Sequence, residues 1–310
     1  MTTLWITGAG GVVGGKLVEQ AAASGRCDRI RALSHARIAD DLPARYPAVE
    51  WAMLVLGDRD AVLEQARLAP PNVVINPAAM TNVDACESRR DEAYRANVDG
   101  PRALAEICRD RGARLLHVST DYVFPGDDAY PGPYTEDATP RAISYYGQTK
   151  LDGERAIAAV CGDDTPYAVV RTALVYGLGR RANFVTWLAS ELRAGRRVRI
   201  VRDQFNTPTI ADDLAAVLLW LAAHERTGIY HAAGPDLVGR HEWALAIANH
   251  FHLDTSLIDW VTSAELAQPA PRPLRSGLTC ARLLAVPDAP RLRGIARGLS
   301  EIDWLAEAGG

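Results

Sequence analysis

Nowhere do the 310 residues offer the roughly 20 consecutive apolar positions that a membrane span needs. The amino end opens Met1-Thr2-Thr3 and has no charged leader ahead of an apolar stretch, so a cytoplasmic protein without membrane attachment is expected. The five cysteines, Cys27, Cys86, Cys108, Cys161 and Cys280, are odd in number, scattered and without a CxxC pair, which argues against a disulfide framework and a zinc site. An excess of one charge is missing too: 34 Lys and Arg face 38 Asp and Glu, a net charge of -4 that would not gather nucleic acid or an anionic membrane. A small-molecule substrate suits that balance better. Without a Ser/Gly linker, a charge block, an internal repeat or a low-complexity stretch, the chain reads as one large domain or two intimately joined ones.

Short apolar runs alternate with Ala/Leu/Glu/Arg-rich stretches of helical period. Six runs fall within the first 171 residues: Leu4-Ile6, Ile30-Leu33, Trp51-Leu56, Val73-Ile75, Leu115-Val118 and Tyr167-Arg171. Several are continuously apolar, as strands covered on both faces are, and the βα order predicts an α/β fold with a doubly wound parallel sheet. After Arg171 the alternation loosens into a helix over Asn183 to Ala194, an Arg-rich segment, a helix over Asp212 to His224 and a strand over Gly228 to Ala233. Prolines crowd the stretch from Gln268 to Pro290. The expected division is a cofactor domain over 1–171, rejoined by 207–233, and a smaller substrate lobe drawn mainly from 172–310.

Directly after the first strand stand Thr7, Gly8, Ala9, Gly10, Gly11, Val12, Val13 and Gly14, followed by a helix-compatible run. Glycines there permit a tight turn, let backbone N–H groups approach a pyrophosphate and let the helix pack closely, with its positive end facing the phosphates. The bland alternative is a Gly-rich turn. An NAD site commonly carries a carboxylate at the end of the second strand to hold the ribose 2′-hydroxyl, but this chain reads Ser34-His35-Ala36-Arg37. A hydroxyl and a guanidinium suit a 2′-phosphate, so NADPH is expected over NADH, with Ser34 and Arg37 as contacts and His35 beside them. Arg37 as a solvated loop charge is the competing reading.

Tyr146 and Lys150 lie four apart at the start of a helical stretch and share one face. An ammonium beside a phenol lowers the phenol's pKa and makes it a proton donor and acceptor. Alone such a pair is common on helix surfaces. Here Ser119-Thr120-Asp121-Tyr122-Val123-Phe124 follows the fifth strand, whose carboxyl end would face the same crevice as the glycine loop.

The loop Thr7-Gly-x-x-Gly-x-x-Gly14, Ser119 to Phe124, Pro133-Tyr134-Thr135-Glu136-Asp137 and Tyr146-Gly147-Gln148-Thr149-Lys150-Leu151 occur in an order and spacing that resemble the extended short-chain dehydrogenases/reductases, and among them the dTDP-4-dehydrorhamnose reductase family. The likeness runs along nearly the whole chain. It implies a Rossmann domain and an NADPH-dependent reduction of the 4-keto group of a nucleotide-linked 6-deoxysugar. It further implies that Tyr146 protonates the carbonyl oxygen, that Thr120 hydrogen-bonds the same oxygen, and that Lys150 binds the nicotinamide ribose and tunes Tyr146. By the same resemblance Asp121 and Tyr122 border the sugar, Asp58 at the end of the third strand approaches the adenine, Ala78 and Ala79 line the cofactor, and Asn97 supports the lysine through a water.

Two positions depart from the family pattern. Met80 follows the paired alanines where Tyr is frequent, which alters a position near the substrate. Lys16 stands where some relatives carry a glutamate that holds a metal at a dimer contact, so a homodimer is allowed but no metal is expected. Arginines at 193, 196, 197, 199 and 202 could face a diphosphate or sit on a solvated edge strand, with Arg272 and Arg275 as weaker candidates and His231 as a structural residue. Two other functions share the resemblance: a nucleotide-sugar epimerase or dehydratase that retains NAD, and a non-catalytic NADP-binding regulator like the subunit of methionine adenosyltransferase. The lack of a carboxylate after the second strand weighs against the first. Retention of Thr120, Tyr146 and Lys150 together weighs against the second.

Overall fold

Seven strands form one parallel sheet at the centre of the computed structural model, which describes residues 2–302. In chain order they are β1 (Thr3–Thr7), β2 (Arg29–Ser34), β3 (Val49–Met53), β4 (Val73–Asn76), β5 (Arg114–Thr120), β6 (Tyr167–Thr172) and β7 (Gly228–His231). Their spatial order is β7-β6-β5-β4-β1-β2-β3. The chain therefore reverses direction across the sheet between β1 and β4, and in doubly wound folds ligands bind outside the carboxyl ends of the strands at such a switch point.

Successive side chains of β1 point to opposite faces. Leu4 and Ile6 pack with Leu17, Val18 and Ala21 of the helix Val12–Ser24 and with Leu214, Val217 and Leu218 of the helix Ala211–Ala223. Trp5 enters the other core, with Val62, Leu104 and Ile157 from three further helices, and its indole N–H donates to Ala69 O at 2.9 Å. Every β1 residue is buried, as the continuous apolar run predicts.

One strand lies earlier than its sequence suggests. Trp51 to Leu56 reads as a single apolar run, but the strand is Val49–Met53. Its partner β2 ends at Ser34, which pairs with Met53 and whose carbonyl accepts from Leu54 N at 2.8 Å, so the ladder stops there. Leu54 and Leu56 line the cleft at the sheet's carboxyl edge instead.

A second body of structure stands over that edge. The helices Phe184–Arg193 and Arg240–His250 cover a two-stranded parallel pair, Val198–Val201 with Ile258–Val261, around Tyr176, Leu188, Trp243 and Ile247. The strand at Ile258–Val261 carries no sequence signal of its own, since its Asp259 and Trp260 point outward and break the apolar pattern. Among the described residues no helix is long and apolar enough to cross a membrane.

Candidate active site

The glycine loop turns tightly because Gly8 takes φ +58°, a conformation L side chains rarely adopt, and because a Cβ there would lie 2.9 Å from Ala78 Cα. At Gly14 a Cβ would stand 2.1 Å from Gly8 O, so only glycine lets the first helix begin this close to β1. Gly11 is the residue that caps this helix, its N–H donating to Gly8 O at 2.8 Å, and Val12 and Val13 are its first two turn-forming residues. Gly10 backs onto the Ser34 hydroxyl, with a built Cβ at 3.2 Å. The loop opens on a cleft of about 700 Å³ lined by Thr7, Gly8, His35, Asp58, Ala79 and Met80 among others.

Residues expected to meet the adenosine end are spread around this cleft. Ser34 is buried at the end of β2, its hydroxyl accepting from Ala36 N at 3.3 Å. His35 lies in the cleft wall, its Nε2 3.5 Å from Nη2 of Arg181, which also lines the cleft. Arg37 faces outward: its side chain is 82% exposed and it bonds both carboxylate oxygens of Asp40 at 3.1 Å. Asp58 does not end the third strand as expected, because that strand stops at Met53. It caps the helix Arg59–Leu68, accepting from Ala61 N at 3.0 Å, and still reaches the cleft. Arg181 lies far from any local motif, on the loop after the strand Val175–Tyr176, and no spacing rule points to it.

The carboxyl end of β5 and the helix Tyr145–Cys161 bring the second group together. Ser144 caps this helix through an acceptor to Gly147 N at 3.2 Å, and Gly147 sits so near β5 that a Cβ would lie 2.2 Å from Tyr122 O. Tyr146 is thereby buried edge-on against Tyr122, with ring centroids 5.5 Å apart, beside the Thr120 hydroxyl. Thr120 donates to Asp121 Oδ1 at 3.2 Å, and Asp121 in turn accepts from Asn206 Nδ2 at 3.0 Å and from Ser276. Burial pushes the Asp121 carboxyl up, against those three hydrogen bonds.

The Tyr-Lys pair behaves differently from its sequence reading. Burial raises the Tyr146 phenol well above its ordinary value, with the hydrogen bond to the Thr120 hydroxyl opposing it. Lys150 does not offset this. Its Nζ donates to Val118 O at 2.8 Å and lies 3.1 Å from His117 Nε2, and burial pushes the amine down to about 8, the Glu154 carboxylate acting the other way. Tyr146 is therefore a protonated phenol in the described state, set by desolvation rather than by a neighbouring ammonium.

Asn97 also has other partners than the lysine. It lies in a π-helical turn, Arg95–Asp99, and its amide donates to Met80 O at 3.1 Å and Thr149 Oγ1 at 3.0 Å while accepting from Met80 N at 2.8 Å. It ties Met80 to the helix Tyr145–Cys161 through Thr149.

The arginine-rich stretch is an edge strand. Arg196 pairs with Glu191 at 2.6 Å, Arg197 with Asp259 at 2.7 Å, and Arg199 donates to Glu265 O at 2.9 Å, all on the exposed side of the Val198–Val201 ladder. Arg275 is likewise exposed and paired with Asp128. Arg272 is different: nearly buried, it grips Asp84 with both terminal nitrogens and stands beside Tyr122. Arg240 lies over the Phe184 ring at 4.7 Å near the same tyrosine, a position that sequence reasoning missed. His231 is a bracket, its Nδ1 between Tyr134 O at 3.2 Å and Thr279 O at 3.1 Å, with burial driving its pKa to about 4. Lys16 ties the first helix to Asp212 at 3.1 Å.

Comparison with known proteins gives concordant relatives. Residues 1–292 match the RmlD substrate binding domain family. The dTDP-4-dehydrorhamnose reductase of Mycobacterium tuberculosis is 40% identical over 282 residues, covering 89% of this chain and 84% of that protein. A crystal structure of a dTDP-4-dehydrorhamnose reductase from Clostridium acetobutylicum superposes with a TM-score of 0.83 at 30% identity, covering 98% and 99% of the two chains. That of Bacillus anthracis, solved in complex with NADP, gives 0.81 at 26% identity over 97% and 98%.

Proposed function

The chain belongs to the RmlD substrate binding domain family, and from that premise we propose that it is an NADPH-dependent reductase of the 4-keto group of a nucleotide-linked 6-deoxysugar. One observation carries this reading: Tyr146 meets the Thr120 hydroxyl at the carboxyl end of β5, with Lys150 of the same helix bonded to Val118 O of that strand, and Tyr146 packs with Met80, which lines a cleft walled by a glycine turn that leaves no room for a Cβ. A dinucleotide fits that cradle. Backbone N–H groups at the start of the helix Val12–Ser24 face the pyrophosphate position, and the residues 34–37 offer no carboxylate to repel a 2′-phosphate.

When bound, NADPH supplies a hydride to the carbonyl carbon. The chain's own residues do the rest. Tyr146 donates its phenolic proton to the carbonyl oxygen, and its raised pKa keeps that proton in place until negative charge develops there. Thr120 donates a second hydrogen bond to the same oxygen, for which it leaves Asp121. Asp121, Tyr122 and Met80 border the sugar, and the paired Arg272 narrows that side. Ser34 and His35 take the 2′-phosphate together with Arg37, which must turn inward from Asp40 to do so, Asp58 takes the adenosine, and Ala78 and Ala79 the nicotinamide half. We assign 1–171 with 207–233 to cofactor binding and the rest of 172–310 mainly to the substrate, with the enzyme working in the cytoplasm.

The test is NADPH oxidation by the purified protein with freshly generated dTDP-4-keto-6-deoxysugar and analysis of the product. Tyr146→Phe is expected to lower turnover by roughly 10²-fold or more while NADPH affinity, read by fluorescence, stays close to wild type. Tight NADPH binding without turnover on any keto sugar would overturn the reductase reading in favour of a regulatory one.

A further inference from the structure

Two guanidinium groups stand beside Tyr122, and only one of them has a carboxylate. Arg272 bonds both oxygens of Asp84 and reaches the Tyr122 hydroxyl. Arg240 lies 4.7 Å over the Phe184 ring, close enough to Tyr122, Asp121 and Arg272 for all three to act on its charge. Among the described residues Arg240 makes no ion pair.

Counting charges leaves a surplus cation here. Asp84 neutralises Arg272. The other carboxyl in range of Arg240 is Asp121, whose oxygens already accept from Thr120, Asn206 and Ser276 and which burial pushes up. Tyr122 is a phenol, raised by burial. On the helix that Arg240 opens, Glu242 is spent on Gly239 N at 2.7 Å, and from the neighbouring segment Gln204 O takes only the Arg240 backbone N–H, also at 2.7 Å. The positive end of that 11-residue helix adds to the field. Taking a cation out of water without an anion is costly, and burial lowers the Arg240 pKa accordingly. An anionic ligand removes that cost.

The place of Arg240 says which anion. Tyr122 packs edge-on against Tyr146, with ring centroids 5.5 Å apart, so Arg240 is one side chain removed from the group that meets the keto oxygen. In a pyranose C1 lies across the ring from C4. With the 4-keto oxygen at Tyr146 and the ring along Tyr122, the phosphate on C1 emerges on the side of Arg240 and Arg272. The arginines at 196, 197 and 199 do not compete, being exposed and engaged elsewhere. We propose that Arg240 is a specificity-determining residue of the substrate site: its guanidinium, without a carboxylate of its own, binds the phosphate on C1 and selects a nucleoside diphosphate sugar over the uncharged sugar. The identity of the anion rests on the reductase reading; the unpaired guanidinium does not. Stacking on Phe184 fixes the plane of the group and leaves its N–H edge to meet two phosphate oxygens.

The test measures binding of dTDP and UDP, each against its nucleoside, to the NADP-loaded protein by calorimetry. The wild type is expected to hold one diphosphate at least about tenfold more tightly than its nucleoside. Arg240→Met should weaken that diphosphate roughly 10- to 100-fold and leave the nucleoside unchanged. Arg240→Lys keeps the charge without the fork and should fall between the two; it carries the same comparison if the Met variant does not fold. With the keto sugar nucleotide as substrate, Arg240→Met should raise KM in the same proportion and change kcat little. Lost packing on Phe184 alone would weaken diphosphate and nucleoside alike. That result, or equal diphosphate affinity in the wild type and the folded variants, or a wild type that holds both diphosphates no better than their nucleosides, would overturn the proposal. Neither diphosphate is reduced, so a protein that binds one through Arg240 but turns over no keto sugar refutes the reductase reading alone. Turnover with unaltered diphosphate binding in Arg240→Met refutes this proposal alone.

Discussion

A phenol and an amine four residues apart acquire their chemistry from what encloses them. Tyr146 is lodged against Tyr122 and away from water, which raises its pKa, while Lys150 turns inward to Val118 O and His117. The helical spacing showed that the pair shares a face; it could not show that the lysine points into the sheet. The same limit applies at the adenosine end. Arg37 was read from its place after the second strand, yet it is turned out to Asp40, and Arg181, beside His35, is among the arginines that line the cleft. If Arg37 swings inward to hold a 2′-phosphate, Arg37→Ala weakens NADPH roughly tenfold or more and leaves NADH almost unchanged, as one lost charge-assisted contact of about 1.5–3 kcal/mol would. Binding titrations of both cofactors with Arg37→Ala and Arg181→Ala decide which guanidinium it is, since only the one in contact separates NADPH from NADH.

Between elements, close approach matters more than charge. The helix Tyr145–Cys161 can rest on the end of β5 because Gly147 faces Tyr122 O and on the π-helical turn because Gly153 faces Asn97 O, where built Cβ atoms would lie 2.2 Å from each oxygen. Gly147→Ala is expected to cost about 1–3 kcal/mol in urea unfolding and to cut turnover by displacing Tyr146 from Thr120, with cofactor affinity less affected. Nothing in the helical period marks either glycine as a contact point. That they are contact points depends on segments more than 20 and 50 residues away in the chain, an arithmetic that local periodicity does not carry. Six of the seven sheet strands were legible as apolar runs in the first 171 residues because burial on both faces writes itself into composition. The strand at Ile258–Val261, half exposed and paired only with Val198–Val201, was not.

Across the whole molecule, the two bodies of structure are joined beside Tyr122. Arg272, from the proline-rich tail, clasps Asp84 of the short helix Val83–Ser88, and Ala270 N donates to the same carboxylate at 3.0 Å. Arg272 holds the Asp84 carboxyl below the ordinary carboxylate range. A depressed folded-state pKa stabilises the protein above the unfolded value of about 3.9 and ceases to do so as pH falls through the folded one. The stability lost in Asp84→Asn, measured by denaturant unfolding, should therefore be constant from pH 6 to 8 and shrink below about pH 4. A rise in KM for the sugar nucleotide should accompany it, since Arg272 stands next to Tyr122.

The sequence by itself determined the parallel α/β architecture, the glycine turn and the Tyr146–Lys150 helix, because each is written in residues that are neighbours along the chain and obey a short period. Tertiary structure alone decided which way charged side chains point and what they pair with: Arg181 into the cleft, Arg197 onto Asp259, Lys150 onto His117. Those outcomes depend on partners brought together from distant segments, and a proton's position on Lys150 or Tyr146 follows from burial and hydrogen bonding that exist only once the chain has folded.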